Sequence, residues 1–73
     1  MMTIDFRKAA QALDMTQAGL ASELGVSDRT FRRYVKGDFV PPRGVVYAIM
    51  WIMSQRKPGL TTAEIHEAIG LEV

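Results

Sequence analysis

The sequence predicts an all-α fold, a compact bundle of about five short helices forming a single domain over residues 1–73. Two observations carry this expectation. Apolar residues recur three and four apart in separate stretches: Phe6, Ala9, Ala10 and Leu13; Leu20, Ala21 and Leu24; Phe31, Tyr34 and Val35; Ile65, Ala68 and Ile69. That spacing puts each set on one face of a helix. Each stretch also follows a residue whose side-chain oxygen can cap a helix start: Thr3 or Asp5, Thr16, Ser27 and Thr61.

The first helix is expected to run to about Leu13, with Arg7 and Lys8 on its outer side. Asp14-Met15 then makes a short connection. The second helix opens at Thr16 and ends at Gly25, a residue free to take the positive φ that follows many helix ends. Gly19 is out of place there, because glycine inside a helix costs about 1 kcal/mol relative to alanine. Close approach of another helix is one explanation. Val26 is an apolar plug and Ser27 caps the third helix, Asp28 to Lys36, which Gly37 closes. One face of this helix is Phe31, Tyr34 and Val35; the other is Asp28, Arg29, Thr30, Arg32, Arg33 and Lys36. A short helix buried on one side and cationic on the other suits entry into a DNA major groove.

Asp38 to Pro42 should be a loop, since two prolines cannot continue a helix and Pro42 biases Pro41 toward extended backbone. Arg43 to about Arg56 is the longest expected helix. Its nine consecutive apolar residues, Val45 to Met53, are more than one packed face can cover. Either the last helix folds over the remainder or a second subunit does. Lys57-Pro58-Gly59 breaks the chain. Leu60-Thr61-Thr62-Ala63-Glu64 then reads as a capping box with Thr61 as N-cap and Glu64 at the third helical position. Leu60 and Ile65 can staple that start, and Gly70 stops the helix after about Ile69.

Thr16-Gln17, Leu20-Ala21, Leu24-Gly25-Val26-Ser27, Phe31, Tyr34 and Lys36-Gly37 form an ordered set. With Leu13 before it and Pro42-Arg43 after it, this set resembles the helix-turn-helix of the phage repressor and Cro family over about half the chain. The alanine four residues before the turn glycine and the second glycine twelve after it are its most specific features. The resemblance implies a helix-turn-helix core at 16–37 and a dimerisation region at 44–73. It also implies roles. Asp28, Arg29 and Arg33 would read bases, arginine being suited to guanine O6 and N7 and aspartate to cytosine N4 or to orienting an arginine. Thr30 and Ser27 would meet phosphate or a thymine methyl, and Arg32 and Lys36 backbone phosphates. Gln17, with the free N–H groups of its helix start, would also contact the backbone. Arg43 would approach the minor groove or its phosphates. Many relatives pair an arginine of the first helix with a glutamate of the third; here those positions are Ala10 and Val35. Removing both partners leaves no stranded charge, which fits the same fold with a drier core.

Net charge is only +1, but it is unevenly spread. Residues 28–43 hold five basic side chains against two acidic ones, and residues 61–73 hold three glutamates with no Lys or Arg. Such a dipole presents one end to phosphate. With no cysteine, disulfides and thiolate metal sites are excluded and a reducing cytoplasm is compatible. The start of the chain has no signal-peptide pattern, and its longest apolar run falls short of the roughly twenty residues a membrane span needs. His66 is the only histidine, and no catalytic arrangement or glycine-rich phosphate loop is evident. The expectation is therefore a non-enzymatic, cofactor-free transcriptional repressor or autoregulator. It would bind an inverted repeat of double-stranded DNA as a homodimer in the cytoplasm, without membrane or small-molecule ligand. Short chains of this look are common in phages and mobile elements, and SDRTFRRYV followed by PP resembles anti-CRISPR-associated repressors. The alternative is an antitoxin-like or adaptor module that uses the same fold to bind a protein.

Overall fold

Five helices make up the architecture: α1 (Phe6–Ala12), α2 (Gln17–Leu24), α3 (Asp28–Lys36), α4 (Arg43–Arg56) and α5 (Thr62–Ala68). The structure, a computed structural model, describes residues 3–72, so the outermost residues of the expected 1–73 domain and 44–73 region lie outside the description. Helices α1, α2 and α3 pack on one another, α5 packs on α1 and α4, and α4 also meets α2.

Four helix starts are capped by the expected side chains. Asp5, not Thr3, caps α1, its Oδ1 accepting from the Lys8 N–H at 3.0 Å. Thr16 caps α2, Ser27 caps α3 and Thr61 caps α5. At α5 the capping box is reciprocal: Thr61 Oγ1 accepts from the Glu64 N–H at 3.2 Å, while Glu64 Oε1 accepts from the Thr61 N–H at 3.0 Å. Pro42 precedes α4 without a side-chain cap; its backbone carbonyl accepts from the Val45 N–H at 3.0 Å.

The same four helices end alike. One residue takes positive φ, and the next N–H reaches back to a carbonyl five residues earlier: Met15 to Ala10, Val26 to Ala21, Asp38 to Arg33 and Leu71 to His66, at 2.9–3.0 Å. These are Schellman closures, which satisfy carbonyls that the helix leaves unpaired. Three of the positive-φ residues are the expected glycines, but at the end of α1 it is Asp14, with φ 55°. An aspartate can enter that region because its side chain is short and polar.

Twelve buried residues form one core: Phe6, Ala9, Ala10 and Leu13 around α1, Leu20 and Ala21 of α2, Phe31 of α3, Ile49, Ile52 and Met53 of α4, and Ile65 and Ile69 at α5. Among the described residues no polar or charged residue is buried. Ala10 lies inside this core and Val35 packs against it.

Two points differ from the sequence reading. Gly19 is not crowded by another helix; a Cβ there would lie 3.0 Å from Thr16 Oγ1, the hydroxyl that caps its own helix. The first and last described residues also meet. Thr3 and Glu72 form an antiparallel bridge with N–H···O bonds of 2.8 Å in both directions, and the Asp5 N–H donates to Ile69 O at 2.9 Å. Of the two covers considered for α4, α5 is present and packs on it, sharing one core with Ile52 and Met53. It does not cover everything: Tyr47 and Trp51, one helical turn apart, stay 51% and 63% exposed, whereas Met50 and Ser54 are half-buried.

Candidate nucleic-acid interface

The surface is set by how α3 is held. Phe31 is buried, and Phe6 of α1 meets it edge-on with ring centroids 5.4 Å apart. The same Phe6 ring stacks on Tyr34 at 5.3 Å and 20°. One aromatic side chain of α1 thereby grips two successive turns of α3 and fixes the rotation of that helix about its axis. With Phe31 inward and about 3.6 residues per turn, Arg29, Arg32 and Lys36 lie on the outer side and are exposed, while Asp28, also exposed, sits one turn before Phe31 at the helix start.

Ser27 serves the helix first. Its Oγ accepts from the Thr30 N–H at 3.1 Å and donates to Thr30 Oγ1 at 3.0 Å. The Ser27 hydroxyl is thereby engaged in the cap while remaining exposed at the start of α3. Thr30 is half-buried.

Gln17, exposed at the first residue of α2, is brought to α3: together with Ala18, Asp28, Phe31 and Arg32 it lines a shallow depression between the two helix starts. A second depression is lined by Arg29, Arg32, Arg33, Lys36 and Asp38, so four cations of α3 share one concavity. Four cations against the single carboxylate of Asp38 leave this concavity with an excess of positive charge toward an incoming anion. Arg43, the first residue of α4, is exposed but lines neither depression.

Arg33 departs from its neighbours. It is half-buried, and its guanidinium carbon lies 4.9 Å from the centroid of the Phe39 ring. Phe39 belongs to the loop after Gly37, where the Asp38 N–H bonds Arg33 O and Pro41 is buried, tying the loop down at both sides. The sequence reading treated this segment only as a connection. The available signal was an aromatic residue two positions beyond the glycine that closes a cationic helix.

Among the described residues, no cluster of three or more His, Cys, Asp or Glu side chains is arranged to hold a metal ion. No helix of the described residues is long and apolar enough to cross a membrane. Compared with protein-family models, with curated proteins and with solved structures, the chain matches none of them.

Proposed function

We propose that this chain is a sequence-specific DNA-binding transcriptional repressor or autoregulator of the phage repressor and Cro type, acting on an inverted-repeat operator as a homodimer. The observation that carries the reading is the two-sided build of α3: Phe31 is sealed against Phe6, while Arg29, Arg32 and Lys36 stand exposed on the opposite face. Helix α2 brings Gln17 and its free N–H groups alongside, a second donor set for phosphate. The reading involves no catalysis, cofactor or small-molecule ligand, and assigns the protein to the cytoplasm of a bacterial or phage-infected cell.

The α4 surface supports pairing. A two-fold dimer of this type would set its recognition helices about 34 Å apart, one DNA turn. Tyr47 and Trp51 offer the apolar contact that a two-fold interface would bury from both copies. The same exposed pair favours a second reading, an antitoxin-like or adaptor module that binds another protein through α4.

Selection from a pool of randomised duplexes, followed by salt titration and sedimentation, separates the two. Enrichment of an inverted repeat, affinity falling steeply with salt and two chains per site support the repressor. Absence of any enriched sequence overturns it. One chain per site, with an 8.1 kDa species in sedimentation, overturns the homodimer alone.

A further inference from the structure

We infer that Phe39 is a positioning residue for base recognition, holding Arg33 ready so that the pair acts as one specificity element. This rests on the DNA-binding reading above. Four observations lead to it. The Arg33 guanidinium lies 4.9 Å from the Phe39 ring centroid, within cation–π range. Arg33 is half-buried, whereas Arg29, Arg32 and Lys36 on the same helix are exposed. Phe39 is 45% exposed, so its ring is not a core residue and does not serve the fold by burial. The loop carrying it is anchored on one side by the hydrogen bond from the Asp38 N–H to Arg33 O at 3.0 Å and on the other by buried Pro41.

The chemistry follows from the shape of the guanidinium. Its hydrogen-bond donors point outward in the plane, and its faces are free to stack. A ring against one face leaves the N–H edge open for O6 and N7 of a guanine. An unrestrained arginine gives up several rotatable bonds when it reads a base, and ordering it beforehand lowers that entropic cost. A positioned arginine also swings less often to a neighbouring phosphate, which sharpens its preference for the right base. The other arginines of the face have no such ring contact described, so the effect is confined to the base step that Arg33 reads.

The test begins with the site that wild-type protein selects from randomised duplexes, then compares Phe39→Leu, Phe39→Trp and Arg33→Ala on single-base variants of it. Leucine keeps an apolar side chain in the loop but removes the π face; tryptophan restores it. Phe39→Leu should lower discrimination at one base step by about two- to five-fold, the scale of an exposed cation–π contact. That step should be the one Arg33→Ala abolishes, and Phe39→Trp should restore it. In the free protein, ring-current shifts of the Arg33 side-chain resonances should vanish in Phe39→Leu with the amide spectrum otherwise retained. A selected site whose preferences are unchanged by Phe39→Leu overturns this inference and leaves the repressor reading standing. Uniform weakening at every position, unrescued by tryptophan, also overturns it, as the loop's shape would then be what matters. Failure of wild type to select any sequence overturns both.

Discussion

Phe6 and Phe31 meet edge to face, centroids 5.4 Å apart and ring planes at 87°, and this contact joins the first helix to the cationic one. The positive rim of one ring faces the negative face of the other, an arrangement worth about 0.5–1.5 kcal/mol beyond the area it buries. Because Phe6 also stacks on Tyr34, the removal of one side chain loosens α3 at two places. Phe6→Ala should cost about 3–5 kcal/mol, most of the stability a domain of this size possesses. Phe6→Leu should remain folded but lose the ring contacts. Urea unfolding followed by far-UV circular dichroism measures both; a loss below 1 kcal/mol for alanine would contradict the grip described here.

Arg29 is exposed on the face of α3 opposite Phe31. On the selected operator, Arg29→Ala should cost about 1–3 kcal/mol and relax preference at one base step. Anisotropy titrations on operator and scrambled duplex give the two affinities. Equal losses on both would make Arg29 a phosphate contact.

Arg32, Lys36 and Arg43 are expected to meet phosphates. Replacing any one by alanine should weaken all duplexes alike and reduce the slope of log K against log salt by about one unit. Arg43 is the most discriminating of the three, since it lies outside both depressions on α3. An unchanged slope for Arg43→Ala restricts the contact surface to α2 and α3.

Gly70 ends α5 with φ 67°, and a Cβ there would stand 3.0 Å from Asp5 Cβ and 3.4 Å from Asp5 N. Alanine at this position combines a disfavoured backbone with a clash against the start of α1. Gly70→Ala should therefore destabilise by about 1–3 kcal/mol. Gly59→Ala, where the added carbon meets nothing within 4 Å, should stay within about 0.5 kcal/mol of wild type. Thermal melts of the two variants side by side provide the comparison.

Glu64 is the acid of the α5 capping box, and hydrogen bonds from Thr61 hold its carboxyl below the usual 4.5. A lowered folded-state pKa means the carboxylate contributes stability above the unfolded value. That contribution fades as pH falls through the folded one. Glu64→Gln should be less stable than wild type at neutral pH, and the gap should narrow on acidification. Urea midpoints at neutral and acidic pH read the difference; a gap independent of pH would show that the charge is irrelevant to the cap.

The local devices of the fold were legible along the chain. Ser27, Thr16 and Thr61 announce helix starts because their oxygens sit one turn before unpaired N–H groups, and Gly25, Gly37 and Gly70 announce ends because few other residues take positive φ readily. Apolar spacing likewise identified Phe6, Ala9, Ala10 and Leu13 as one buried stripe. These signals act within a single turn or two, so they need no knowledge of what lies opposite. Tertiary structure decided the rest. The Thr3–Glu72 bridge joins residues at opposite ends of the chain through backbone groups that every residue carries, so no side-chain pattern marks it. The approach of Phe39 to Arg33 depends on the path of a loop after a glycine, where the backbone has many courses and only packing selects one. The exposure of Trp51 follows from how much of α4 the seven residues of α5 can shield, a question of placement in space that apolar composition alone leaves open.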